Sequence, residues 1–400
     1  MSELYVLPEG WGWKKLGDPE VCQLIMGQSP KSDTYNTEGI GMPFFQGKTE
    51  FGEMYPTVSK YCTAPKKIAN VGDILLSVRA PVGPTNIANI DCCIGRGLGA
   101  IRPNKSNTLT NYLLYFFRNF ELEISQKGKG STFSAITKKE LENTDIPLPP
   151  LQEQKRIVAK LDSLFAKIDH AIALHQLNID EAEGFMGSVL DEVFGELEGE
   201  CEIVKISDIA KIKGGKRLPK GKKLIEEKTN HPYIRVADFL DSGTIDTASV
   251  KYITDDIYKS IKNYTISSKD LYISIAGTIG KTGIIPKELN GANLTENAAK
   301  FVFISDNIDK RFMYFLTISN NFRKQIGLAT KTVAQPKLAL KRLAEVKLPL
   351  PPLDIQQKTV QYLDRLSQKT QALKAAQQEK MTQLRALKAS FPDRAFRGEL

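Results

Sequence analysis

The residues best placed to do chemistry in this chain are cations set among glycines. Positions 211–223 hold Lys211, Lys213, Lys216, Arg217, Lys220, Lys222 and Lys223 with no acid, interleaved with Gly214, Gly215 and Gly221. Glycine lets a backbone approach a phosphate closely, and the cations neutralise it. Positions 127–139 repeat the pattern with four lysines, among them Lys127 and Lys129, and no acid; Lys331 and Gln335 stand at the corresponding place in the second half. Long planar donors can meet a base edge with two hydrogen bonds. Gln46, Arg79 and Arg96 are such donors in the first half, with Lys48 beside them; Arg235 and Gln335 are in the second, with Lys281 as a further cation. Any one of these taken alone reads more readily as a solvated side chain or half of a structural ion pair than as a base reader. The lysine-rich loops taken together read as evenly balanced between a solvated surface and a nucleic-acid contact.

Three enzyme readings meet obstacles. The run Gly277-Thr278-Ile279-Gly280-Lys281-Thr282 is reminiscent of a phosphate loop, but Ile275 stands where that loop needs its first glycine. Asn230-His231-Pro232-Tyr233 departs by one residue from the tetrapeptide of amino-methyltransferases, and no glycine-rich cofactor fingerprint precedes it. With three histidines in 400 residues, no Ser/His/Asp, Cys/His or paired-carboxylate arrangement stands out. Five cysteines without C-x-x-C spacing read as reduced structural thiols, and no metal site is expected. The excess of 55 Lys and Arg over 46 Asp and Glu suits a polyanionic partner. No apolar run reaches the ~18 residues of a membrane span, and the first residues do not resemble a signal peptide, so a cytoplasmic protein is expected.

What must position these loops is a duplicated scaffold. Residues 146–151 read I-P-L-P-P-L and residues 348–353 read L-P-L-P-P-L, 202 positions later. At the same offset Gln154 matches Gln356, Leu161 matches Leu363, Asp162 matches Asp364 and Phe194 matches Phe396. Upstream the match is looser, with Pro43-Phe44-Phe45 answering Pro232-Tyr233-Ile234 and Asp73-Ile74-Leu75 answering Asp270-Leu271-Tyr272. Each half is therefore a variable mixed unit followed by a fixed segment. Strands are expected at 73–78, 270–275 and 300–304, and helices at 111–123 and 309–326.

The fixed segments read as long helices with heptad-like seams. Ile157, Leu161, Leu164 and Ile168 open the first seam, and Leu363, Leu366, Leu373, Leu384 and Leu387 form the second. Residues 152–197 carry four basic and nine acidic side chains, and residues 354–388 carry seven and three. Opposite net charges favour pairing of the two helices with each other. Each helix would extend roughly 50–70 Å at ~1.5 Å per residue, longer than a globular unit is wide.

The repeated proline-helix motif beginning P-L-P-P-L-Q-E-Q-K-R-I-V at Pro147, the duplicated halves and the closing A-F-R-G-E-L at 395–400 resemble the specificity subunit of type I restriction–modification enzymes. The resemblance implies an α+β chain with two mixed α/β target-recognition domains joined by a long antiparallel two-helix coiled coil, a pseudo-twofold tandem repeat. The corresponding divisions are 1–147 and 199–349 for the recognition domains, and 148–198 and 350–400 for the spacer helices. It further implies a non-catalytic subunit that reads a bipartite, asymmetric DNA target. Two methyltransferase (modification) subunits and two restriction/translocase subunits would assemble on it. S-adenosylmethionine, ATP and magnesium would belong to those partners, with no cofactor on this chain. The second motif departs from the first at Asp354, Ile355 and Gln357. A standalone tandem DNA-binding or scaffold protein, or a methyltransferase concealed in the mixed units, are the competing classes.

Overall fold

Each proline motif closes a strand and opens a helix. Asp145–Leu148 pairs antiparallel with Gly12–Lys15, and Lys347–Pro349 pairs the same way with Ile203–Lys205. Helices then run over Leu151–Glu200 and Leu353–Phe396. The prolines lie just ahead of each helix, where a missing backbone N–H goes unnoticed. The computed structural model describes residues 5–121, 124, 135–329 and 337–400.

The chain forms two units, one of residues 1–175 with 379–400, the other of residues 176–378. Each contains one mixed domain and a stretch of both long helices. In the first unit a four-stranded antiparallel sheet has the order Cys22–Met26, Leu98–Pro103, Ile74–Ser77, Thr85–Ile87. The second unit repeats it as Ala210–Gly214, Ala298–Phe303, Leu271–Ser274, Thr282–Ile284. A second sheet in each unit contains one parallel pair, Met42–Phe45 with Cys92–Ile94 and Pro232–Ile234 with Asn293–Leu294. The central strands Ile74–Ser77 and Leu271–Ser274 are buried along their whole length and carry apolar side chains at every position but the last. A buried aspartate ties each main sheet to a cation in the same way. Asp73 receives Arg102 at 2.8 Å, and Asp270 receives Lys300 at 2.7 Å.

The strands at 73–78, 270–275 and 300–304 appear close to their expected positions. The first unit's helix covers Thr110–Asn119. The single helix expected at 309–326 is two, Lys310–Ile318 and Asn320–Ala329. Ser319 between them is extended, and its hydroxyl accepts the Phe322 N–H, so it ends one helix and caps the next.

Two fully buried glutamines fasten the long helices to the mixed domains. Gln154 Oε1 accepts the Leu109 N–H at 2.9 Å, while its Nε2 donates to the carbonyls of Asn107 at 2.7 Å and Pro149 at 2.9 Å. Gln356 does the same with the Asp309 N–H and the carbonyls of Asn307 and Pro351. The far end of the opposite helix closes each core. Phe396 packs edge-on to Tyr112 at 5.3 Å in the first unit, and Phe194 packs edge-on to Phe312 at 5.5 Å in the second. The N-terminal segment joins the first of these cores, where the Tyr5 hydroxyl donates to the Phe396 carbonyl.

Within each unit the helix stretches run antiparallel. In the first, Arg156 donates to the Leu400 carbonyl and Lys388 meets Asp169 at 2.6 Å. In the second, Lys374 pairs with Glu183, and Leu363 shares a core with Leu190 and Phe194. Ile157, Leu161, Ile168 and Leu363 are buried, and Leu164, Leu366 and Leu384 are half-buried. Leu373 and Leu387 correct the expected seam: they are 46% and 45% exposed. Between Leu366 and Leu384 the inward positions are Ser367, Thr370, Lys374, Gln377 and Met381. The heptad spacing persists there, but its occupants are largely polar, and the nearby leucines fall off the stripe. The α+β class with two mixed domains and paired long helices is the one expected.

Candidate nucleic-acid interface

Three backbone segments converge at one edge of each mixed domain. In the first unit Gly27 N–H donates to the Leu98 carbonyl, Gln28 N–H to that of Ile94, and Gly95 N–H to that of Phe45. In the second, Gly215 N–H donates to Ala298, Lys216 N–H to Leu294, and Thr295 N–H to Ile234. The approach is close enough to require glycine at its centre. A Cβ on Gly27 would lie 2.1 Å from the Gly95 carbonyl oxygen, and one on Gly215 would lie 2.1 Å from that of Thr295.

Side chains projecting from this junction include several of the residues singled out above. Gln46 and Arg96 are exposed there and share Ser29, whose hydroxyl accepts from Gln46 Nε2 and from the Arg96 backbone N–H, both at 3.1 Å. Lys48 is exposed nearby in the chain. In the second unit Lys216 and Arg217 are exposed, with Lys216 Nζ 5.4 Å from the centre of the Tyr264 ring. Arg217 Nε donates to Glu296 Oε1 at 2.6 Å. Burial alone would raise the Glu296 carboxyl, but its bonds from Arg217, its own backbone N–H and Thr295 hold it below the usual range.

Other candidates have different surroundings. Arg235 is held by Asp238, which is fully buried, with contacts of 2.5 and 3.1 Å, and by the Ser249 carbonyl at 2.8 Å. Its guanidinium belongs to a structural ion pair, the alternative weighed for each planar donor. Lys222 pairs with Asp256 at 2.7 Å, which draws that carboxyl down to about 2. Lys220 is exposed. Arg79 is exposed at the turn between Ile74–Ser77 and Thr85–Ile87. Lys281 pairs with Asp241 at 2.7 Å. The segment 277–281 joins two antiparallel strands, with Gly277 and Gly280 at positive φ. A phosphate loop leads from a strand into a helix, so this one is a hairpin turn. His231 stacks on Tyr258 and meets Asp255 at 2.7 Å as the chain enters a strand. Lys127, Lys129, Lys331 and Gln335 lie outside the described residues.

Among the described residues no group of three or more His, Cys, Asp or Glu could hold a metal ion. No helix among them is long and apolar enough to cross a membrane. Ser29 and Glu296 were not singled out from the sequence. The offset that aligns Pro43 with Pro232 also aligns Gln46 with Arg235, but only the backbone bonds show that Ser29 answers Arg217 and Arg96 answers Glu296.

The model of the type I restriction modification DNA specificity domain matches twice, over residues 8–177 and 198–383. The chain belongs to this family. A Methanocaldococcus jannaschii protein provisionally named as the MjaX specificity subunit is 47% identical over 163 residues, 41% of this chain and 38% of that one. The type I restriction enzyme MjaVIII specificity subunit of the same organism is 28% identical over 265 residues, 61% of this chain and 60% of that one. The chain thus spans less than two thirds of the length of both. The Escherichia coli EcoBI specificity subunit is 22% identical over 97% of this chain and 86% of its own. Two solved structures share the fold at 24% identity. One, from a study of assembly and conformational transition in the type I R-M system, has a TM-score of 0.79 over 99% of this chain and 100% of its own. The other, the HsdS subunit of Thermoanaerobacter tengcongensis, has a TM-score of 0.59 over 100% and 99%. The family domain occurs twice, once per unit, as the repeat predicts.

Proposed function

We propose that this chain is the DNA sequence-recognition subunit of a type I restriction–modification complex. Each mixed domain reads one half of a bipartite target on double-stranded DNA. The long helices link the readers and carry two methyltransferase subunits, which two restriction/translocase subunits then join. The observation that supports this best is the double occurrence of the DNA specificity domain, with different exposed side chains on equivalent frames. Two unlike readers call for two unlike half-sites, and joining them raises the effective concentration of the second once the first is bound. Lysines such as Lys216 and Lys220 contact phosphate and set register, while planar donors contact base edges and set sequence.

In this reading the chain performs no reaction. S-adenosylmethionine, ATP and magnesium serve the partner subunits, and the assembly works in the cytoplasm. Co-expression with a methyltransferase subunit from the same kind of system tests it. The expected result is a stable complex that methylates DNA, from a chain that alone binds no S-adenosylmethionine in calorimetry. Binding of that cofactor by the isolated chain would favour a concealed methyltransferase. Specific DNA binding with no methyltransferase retained would favour a standalone DNA-binding protein.

A further inference from the structure

The backbone frame at the edge of the two mixed domains is the same, yet the polar side chains it presents are not. Phe45 and Ile234 accept equivalent bonds, from Gly95 and Thr295, and Gly27 and Gly215 make equivalent approaches. On that frame Gln28 is replaced by Lys216, Ser29 by Arg217, and Arg96 by Glu296. The buried residues beneath stay apolar: Phe45 and Ile94 in one unit, Ile234 and Leu294 in the other. A constant frame with exchanged, solvent-facing polar groups is what a pair of readers with different targets requires.

Each junction also holds one planar donor in a fixed orientation while leaving part of it unpaired in the hydrogen-bond network. Ser29 takes one N–H of the Gln46 amide at 3.1 Å, the amide lies over Gly95, and among the described residues this exposed side chain makes no other hydrogen bond, so its second N–H and its carbonyl oxygen have no protein partner. That combination matches the N7 acceptor and N6 donor of adenine. Glu296 takes the Nε–H of Arg217 at 2.6 Å, and the Arg217 side chain remains 78% exposed. Its terminal N–H groups match the O6 and N7 acceptors of guanine. Neither donor has to be ordered anew on binding.

We propose that Gln46, oriented by Ser29, reads an adenine in one half-site, and that Arg217, oriented by Glu296, reads a guanine in the other. Ser29 and Glu296 are positioning residues, and the reader stands at a different slot on each frame: Gln46 where the second unit has Arg235, and Arg217 where the first has Ser29. The proposal rests on the DNA-recognition function above.

The test uses the full chain in complex with a methyltransferase subunit, selecting from a library of randomised DNA duplexes. The wild-type complex should enrich two unlike blocks. Gln46→Ala should relax one adenine position in one block, and Arg217→Ala one guanine position in the other, each by roughly 5- to 150-fold in relative affinity. Arg217→Lys should relax the same guanine, because a point charge cannot form the paired bonds. Glu296→Gln should weaken the preference at that position without moving it. Unchanged consensus in both alanine variants would overturn the proposal. So would uniform weakening across all sequences with a shallower salt dependence, the signature of phosphate contacts. Failure of the wild-type complex to enrich any sequence would instead overturn the function on which the proposal rests. Thermal melting of each variant separates lost recognition from lost folding, and the exposed Arg217→Lys variant should melt with the wild type.

Discussion

Replacing Gln154 with alanine removes the fastening between the first long helix and its mixed domain. Three backbone partners lose their bonds at once: the Leu109 N–H and the carbonyls of Asn107 and Pro149. Each bond is worth ~1 kcal/mol net, rising to ~1–3 kcal/mol when its partner stays buried and unpaired. The freed side-chain entropy of the glutamine returns up to ~2 kcal/mol. The balance is a loss of ~3 kcal/mol, a large share of the ~5–15 kcal/mol that holds a typical domain together. Both tryptophans, Trp11 and Trp13, lie in the first unit, so their fluorescence reports that unit alone. With a urea slope of ~3 kcal/mol per molar, the tryptophan-reported midpoint should fall by ~1 M. Hydrogen exchange supplies a local check. Gln356→Ala should speed exchange of the Asp309 amide, and Gln154→Ala that of the Leu109 amide, each without affecting the other. A midpoint shift below ~0.3 M, about 1 kcal/mol on the same slope, would refute the reasoning and mean that water satisfies those backbone groups.

Further expectations concern the cores and the seam. Phe396→Ala and Phe194→Ala each leave a void beside an aromatic partner and should cost ~3–5 kcal/mol, read as lowered thermal midpoints. Leu363→Ala, at a fully buried position, should cost ~2–5 kcal/mol, whereas Leu373→Ala should stay within ~0.5 kcal/mol as an exposed change. Burial pushes the thiols of Cys22 and Cys92 up to about 12. At pH 8 both are protonated, so iodoacetamide should label the partly exposed Cys201 well before either, as followed by peptide mass spectrometry.

The repeat made the scaffold legible before any coordinates. Gln154 and Gln356 do matched work because the same backbone groups surround each, and Phe194 and Phe396, like Leu161 and Leu363, do so because each fills the equivalent place in the core of its unit. The strands starting at Ile74 and Leu271 were readable because both are short apolar runs preceded by an aspartate, and that aspartate caps the turn before the sheet. The seam was legible only where it is apolar. Hydrophobic periodicity gives no weight to Thr370, Lys374 or Gln377, so it assigned Leu373 to a stripe that the helix turns elsewhere. The electrostatics of the candidate interface were the least visible part. Residues 211–223 contain no acid, yet Glu296 and Asp256 arrive from far along the chain to meet Arg217 and Lys222. Arg235 reads as a free donor until the turn that follows it brings the buried Asp238 back onto its guanidinium. Such pairings depend on tertiary folding, not on local pattern.

The proposed function has two unlike readers on one chain directing a reaction carried out by other subunits. Single-molecule sequencing of methylated adenines, in cells expressing this chain with a methyltransferase subunit, tests it most directly. Methylation is expected to be confined to a motif of two different blocks at a constant gap and to be absent when the chain is deleted. A palindromic motif, a single continuous block, or methylation that persists without the chain would contradict it.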